Sequence, residues 1–226
     1  MDSLDMLANN LANASAPGFK ADREFYSTYA AADVSEAPES VMPVVERRWT
    51  DYSQGAIETT GNPLDLALSG KGFFVAVSPS GPLLTRDGSF RLSSAGTLVT
   101  QDGFSVRGQD GKPIQIDASK TVEVTSRGEI KQDGQTVSQL DIVDVPNESS
   151  LGKHGLNYFE FAPTAVARMT TQEIRQGALE SGNVQTADSS VRLISVMRQF
   201  EMLQRAANVG SDMGRRALEE VAKVNG

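Results

Sequence analysis

The 226-residue chain contains no cysteine. That absence removes disulfides, thiolate metal sites and a cysteine nucleophile together. Histidine occurs once, as His154 in a Lys-His-Gly stretch. Any Ser-His-Asp arrangement would have to use it as base, and a lone loop histidine reads as a solvated residue. Long apolar runs are also missing. A run such as Phe73–Val77 falls far short of the ~20 residues a membrane-spanning helix needs. There is no basic tract, and the formal net charge is -8, which leaves no electrostatic case for nucleic acid or for insertion at an anionic membrane. The first residues carry Asp2 and Asp5 in place of a basic-then-apolar start, so no secretory signal peptide is legible. Tryptophan occurs once. Trp49, in Glu46-Arg47-Arg48-Trp49, is expected to be a packing residue and not a ligand platform.

What is present is ordinary for a globular protein. Apolar residues make up 39% and charged residues 22%, enough for one or two domains with a sizeable core. The patterning changes three times along the chain. Leu4, Leu7, Leu11 and Ala14 recur at spacings of three, four and three, a helical seam that Pro17-Gly18 ends. Residues 21–50 carry few strong cues, and Asp33 to Pro43, with its Ser, Glu and Pro, reads as a loop. Leu64, Leu66 and Leu68 then alternate with other residues as in a half-buried strand. Phe73–Val77 predicts a strand covered on both faces.

The middle is punctuated by Asp87-Gly88, Asp102-Gly103, Asp110-Gly111 and Asp133-Gly134. Asp-Gly supplies the positive φ that tight hairpins need. Between the turns lie short β-prone pieces at 83–85, 89–92, 97–100, 104–107, 114–116, 121–124, 129–131 and 140–145. This rhythm predicts an antiparallel sandwich or barrel-like domain, with 146–157 its least regular loop. After Gly182 the period becomes helical. Leu193, Val196, Phe200, Leu203, Ala207, Gly210, Gly214, Ala217, Val221 and Val224 alternate three and four apart, a sustained a/d seam. Small residues at its centre let a second helix approach closely.

These residues resemble the bacterial flagellar rod and hook family. The resemblance rests on three motifs. The first is Asn9-Asn10-Leu11-Ala12-Asn13 leading to Pro17-Gly18-Phe19-Lys20. The second is Thr60-Gly61-Asn62-Pro63-Leu64-Asp65-Leu66-Ala67-Leu68 with Gly70-Lys71-Gly72-Phe73-Phe74. The third is Gln176-Gly177-Ala178-Leu179-Glu180 with Ser181-Gly182-Asn183-Val184. Arg198-Gln199-Phe200-Glu201-Met202 looks more like the proximal-rod F class than the distal-rod G class. Against the family's pattern, Met1 falls where the N-terminal helix should already be under way. The resemblance implies export by the flagellar type III apparatus without a cleaved signal, assembly into the periplasmic rod, and partners that are other rod subunits, the export apparatus and further copies of the chain.

No residue pattern competes with that reading. The Asp-Gly pairs lack calcium-loop spacing, and Gly108-Gln109-Asp110-Gly111-Lys112 has no helix after it to make a phosphate loop. No catalytic residue, metal or cofactor is expected. The expected architecture is mainly β, an antiparallel sandwich or barrel-like domain over 45–184, with helical ends over 1–44 and 185–226 forming a coiled-coil-like layer. Leu4, Leu7, Leu11, Leu193, Val196, Phe200, Leu203, Ala207, Gly210, Gly214, Ala217 and Val221 are the expected assembly residues. The alternatives are a distal rod protein or, from another class, a secreted β-domain enzyme acting on polysaccharide, which would show a deep cleft with convergent acids.

Overall fold

The computed structural model describes residues 2–29, 42–169 and 173–224. The chain separates into two compact units. One comprises Met1–Leu11 with Gln185–Gly226, the other Ala12–Val184.

The first unit is helical. Helix α1 spans Asp2–Ala12 and helix α2 spans Thr186–Val224. On α1 the seam faces inward, with Leu7 buried and Leu4 and Leu11 half-buried. At 39 residues, α2 is roughly 58 Å long at 1.5 Å per residue. Asp188 in its first turn suits the positive end of the helix dipole. Glu201–Arg205 and Asp212–Arg215 pair one turn apart at 3.6 and 3.3 Å, worth a few tenths of a kcal/mol each. No helix among the described residues is long and apolar enough to cross a membrane.

The larger unit is mainly β, and all its strand pairs are antiparallel. Strand β1 (Asp22–Tyr29) pairs with β2 (Met42–Thr50) across a bulge at Phe25/Tyr26. Strands β3 (Ile57–Thr59) and β4 (Leu66–Ser69) pair with Ala178–Glu180 and Glu173–Gln176 respectively. The C-terminal lead-in therefore runs back along the segment that opens the sheet. Strand β5 (Phe73–Ser78) is central to a nine-stranded sheet. One edge of β5 pairs with β6 (Gly81–Thr85), and the other is shared by Ile142–Asp144 and Ser105–Val106.

Alternation along β5 divides the core in two. Phe74 enters a group with Leu66, Leu68, Phe90, Leu98, Ile130 and Leu140. Phe73 and Val75 enter another with Leu84, Val143, Val145 and Phe159. The strand is covered on both faces, as its uninterrupted apolar run predicts.

Several details differ from the sequence reading. The expected half-burial at 64–68 does not hold, because Leu66, Ala67 and Leu68 are all buried. The strand Ala178–Glu180 lies beside β4. Residues 21–50, which carried few cues, contain β1 and β2. The boundary between the units consequently falls at Ala12, well before residue 44. The expected loop at 33–43 lies mostly outside the described residues. Within 146–157 the chain forms a 3-10 turn, Glu148–Ser150, then a strand, Gly152–His154, that pairs with Tyr158–Glu160 and through it with β6. Ile114–Ile116 is no strand. It meets its neighbours by an isolated bridge and single hydrogen bonds while both isoleucines stay buried.

The Asp-Gly pairs also diverge. At Asp133-Gly134 both residues have positive φ, 51° and 76°, the two-residue hairpin that joins Glu129–Gln132 to Gln135–Gln139. At Asp87-Gly88 the glycine serves a different need. A Cβ on Gly88 would lie 1.7 Å from the carbonyl oxygen of Leu66, so only glycine permits that approach.

Candidate functional site

The expected assembly residues of α2 lie on a largely uncovered helix. Leu193 and Val196 are half-buried. Phe200 is 40% exposed and Leu203 69% exposed, while Ala207, Gly210 and Gly214 are also exposed. Nothing lies within 4 Å of a Cβ built on either glycine. Ala217 and Val221 are helical, and their side chains lie outside the described set. Val191, Ile194, Met197, Met202, Val209 and Met213 are exposed as well. At 100° per residue, Val191, Met202, Val209 and Met213 project on the face opposite Phe200. This helix is thus apolar on two faces, which a period of seven alone did not predict.

A second constellation was not visible as such in the sequence. Pro17-Gly18-Phe19-Lys20 and Glu180-Ser181-Gly182-Asn183 are brought together in the larger unit. Lys20, Arg86 and Glu180 are all buried. The Glu180 carboxylate accepts from Lys20 Nζ at 2.6 Å and Arg86 Nη1 at 3.2 Å, and from the Gly55 N–H at 3.0 Å. Two further donors are held: Lys20 Nζ reaches the Ser53 carbonyl at 2.7 Å, and Arg86 Nη2 the Gly70 carbonyl at 2.7 Å, while the buried Arg86 Nε makes no hydrogen bond. Burial, only partly offset by Glu180, pushes the Lys20 ammonium below its ordinary range, and burial does the same to Arg86.

Backbone bonds complete this clasp. The Gly18 N–H donates to the Glu180 carbonyl at 2.7 Å, and the Asn183 N–H to the Phe19 carbonyl at 3.3 Å. The Asn183 side chain accepts from the Ala21 N–H and donates to the Asp51 and Ser53 carbonyls, at 2.8, 2.7 and 3.0 Å. Lys153 Nζ sits 4.7 Å from the Phe19 ring centroid and pairs with Asp22 at 2.8 Å. Burial raises the Asp51 carboxyl, but the Ser53 hydrogen bonds and Arg23 outweigh it and hold it below the ordinary value. The glycines of the motifs are required by space. A Cβ on Gly18 would lie 2.3 Å from the Asp87 nitrogen, and one on Gly182 2.5 Å from the Ala14 oxygen.

The second motif meets the third at Asp65. Its carboxylate accepts from Thr60 Oγ1 at 2.7 Å and Asn62 Nδ2 at 2.9 Å, while its carbonyl accepts the Gly177 N–H at 2.8 Å. His154 is exposed and lies 2.8 Å from Glu160. Trp49, expected to pack, is 40% exposed on the wall of a recess of about 360 Å³ that it shares with Arg48, Thr50, Tyr52, Glu148, Ser149 and Leu151.

Comparison with known proteins adds the family. Residues 67–137 match the model of the flagellar hook protein FlgE/F/G D1 domain. Residues 175–220 match the C-terminal model of flagellar basal body rod FlgEFG proteins. The chain is 34% identical over 229 residues to the flagellar basal-body rod protein FlgF of Caulobacter vibrioides, covering 98% of this chain and 93% of the relative. It is 31% identical to the FlgF of Rhizobium meliloti, with 88% and 83% covered. It is 30% identical to the FlgG of Caulobacter vibrioides, with 93% and 90% covered.

Proposed function

Because the chain belongs to the flagellar basal-body rod family, with its F class favoured, we propose that it joins the rod through the apolar faces of α1 and α2. It is a structural rod subunit of the flagellar basal body, and its family assembles with other rod subunits. The proposed mechanism is association alone, with no reaction catalysed and no cofactor. Leu4, Leu7 and Leu11 on α1, and Leu193, Val196, Phe200, Leu203, Ala207, Gly210, Gly214, Ala217 and Val221 on α2, form a helical layer with neighbouring subunits and with further copies. Repeated head-to-tail contacts of this kind build an open helical tube and not a closed ring, and the layer carries torque along the axis. The flagellar export apparatus delivers the chain to the periplasm without cleaving a signal.

One observation carries this reading. Among its described residues the larger unit leaves three large apolar side chains exposed, Trp49, Val137 and Leu156, scattered singly, whereas α2 alone leaves Phe200, Leu203, Met202 and Met213 in solvent along with Val191, Ile194, Met197 and Val209. A helix apolar on two faces needs partners on both. The proximal position is supported by the higher identity to the Caulobacter FlgF, 34% against 30% for its FlgG.

Leu203→Asp tests it. The residue is exposed in the monomer, so the purified variant should melt like the parent. In the assembled layer an unpaired carboxylate would cost several kcal/mol or be forced to protonate. Cells carrying the variant as sole copy should be non-motile and lack rods. Normal motility would remove this face from assembly, and a lowered melting temperature would make it part of the subunit's own core.

A further inference from the structure

The chain contains no cysteine and seven methionines, so every sulfur it carries is a thioether. The methionines with described side chains divide by burial. Met6 is half-buried. Met169 is half-buried too, packed on the core group of Phe74, with its sulfur 2.9 Å from where a Cβ on Gly72 would stand. The others lie on α2 in solvent: Met197 is 48% exposed, Met202 61% and Met213 66%. Their positions around the helix differ. Met202 and Met213 are about three helical turns apart, so they project within about 20° of each other and stand roughly 16 Å apart along the axis. Val191 and Val209 complete this stripe, opposite Phe200. Met197 falls off it, between Phe200 and the charged side where Glu201 and Arg205 pair. The face of Phe200, with Leu193, Val196, Leu203 and Ala207, carries no sulfur.

An exposed thioether is open to oxidation. Its sulfur lone pair attacks one oxygen of hydrogen peroxide. The O–O bond breaks and an S–O bond forms, so the sulfur is oxidised and the peroxide reduced. The leaving hydroxide takes the proton of the transferred oxygen and departs as water. The sulfoxide replaces a flexible apolar side chain by a polar one. Burying its oxygen without a partner carries the desolvation cost of any unpaired polar group. We propose that Met202 and Met213 are a redox-sensitive modification site, at which oxidation by a hydroperoxide makes the stripe polar and stops the subunit from joining the rod. The inference rests on the reading that both apolar faces of α2 are covered on assembly. Because the face of Phe200 holds no sulfur, oxidation disables one face and leaves the other unchanged. In the assembled layer both thioethers are out of solvent, so the site acts on subunits that have not yet joined. A methionine sulfoxide reductase reverses the change.

The chemistry is tested on the full-length protein, treated with hydrogen peroxide and followed by peptide mass spectrometry. Met202 and Met213 are expected to gain oxygen several-fold faster than Met169, and equal rates would overturn the proposal. The consequence is read in cells that carry a variant as sole copy. Met202→Gln with Met213→Gln puts a polar group where the sulfoxide oxygen would stand. Both positions are exposed, so the purified variant should melt like the parent, while its cells should be non-motile and lack rods. Met202→Leu with Met213→Leu conserves volume. Its cells should be motile and should keep building rods during a peroxide challenge that reduces new rods in the parent. Met197 stays oxidisable in that variant, so recovery assigns the effect to the stripe. Motility with both glutamine substitutions, or equal peroxide sensitivity with both leucine substitutions, would overturn the proposal. A lowered melting temperature with the glutamines would place the stripe in the subunit's own core and overturn it too. Leu203→Asp separates this inference from the reading beneath it, because it alters the other face. If Leu203→Asp abolishes motility and Met202→Gln with Met213→Gln does not, only the redox site fails. If neither does, the assembly reading fails with it.

Discussion

At the scale of single residues, Glu180 carries the largest share of the clasp, because two buried cations depend on it. Removing one partner of a buried ion pair typically costs 3–5 kcal/mol, since the other charge stays behind without compensation. Glu180→Gln should therefore lose about that much stability in urea. It should also change the pH dependence. Burial already lowers Lys20 below its ordinary 10.5, so between the two values the unfolded chain binds more protons than the folded one, and stability rises with pH. Without the carboxylate that window extends further down. The variant's denaturation midpoint should climb between pH 7 and pH 10 more steeply than the parent's, and parallel profiles would show that Lys20 does not feel Glu180. The glycines allow a paired test. Gly18→Ala meets backbone atoms at 2.3 and 2.4 Å in addition to a φ of 67°. Gly61→Ala has a φ of 76° and nothing within 4 Å, so it meets only backbone strain of about 1–2 kcal/mol. Thermal melting should rank Gly18→Ala well below Gly61→Ala.

At the scale of elements, the contrast lies between β5 and α2. Strand β5 is hydrogen-bonded on both edges and buried on both faces, so its amides should exchange only with global unfolding. Helix α2 exposes most of its length, and Gly210 and Gly214 each cost about 1 kcal/mol relative to alanine. Most of a helix's stability in a protein comes from packing its apolar face, which this stretch lacks in the monomer. Hydrogen exchange on the isolated monomer should find residues 197–215 exchanging orders of magnitude faster than Phe74, Val75 and Ala76. Gly210→Ala with Gly214→Ala should slow that exchange while impairing motility, because the added methyl groups occupy the narrowest part of the seam. Equal protection of α2 and β5 would show that the helix is already fully packed in the monomer.

At the scale of the whole molecule, the larger unit is expected to depend on residues 17–21. Phe19 and Lys20 are fully buried and tie residues 17–21 to residues 180–183. A fragment of residues 12–184 should melt cooperatively by circular dichroism. A fragment of residues 45–184, the span that strand patterning alone suggests, leaves Glu180 and Arg86 without Lys20 and should be markedly less stable or unfolded. Equal melting of the two would show that the clasp contributes little. Because Glu180 lies near the C-terminal end of this unit, the clasp closes only when almost the whole unit is present.

Local chemistry by itself determined much of this protein. The three-and-four spacing of leucines on α1, the helical period after Gly182 and the covered strand at Phe73–Ala76 were legible because side-chain periodicity follows directly from helix and strand geometry. The type of turn at Asp133-Gly134 was legible because glycine and aspartate tolerate positive φ. The motifs at both ends and in the middle carried the family. Tertiary structure alone decided which distant residues meet. No spacing rule links Lys20 to Glu180 across 160 positions, and nothing local distinguishes Gly88, held by its approach to Leu66, from the hairpin glycine at 134. The pairing of β1 with β2 was invisible for the same reason, since strand partners are chosen by packing and by the need to satisfy backbone hydrogen bonds. Trp49 looked like a core residue because tryptophan usually buries most of its surface. It stands exposed because Tyr52 and Leu151, and not the indole, fill the core beneath it.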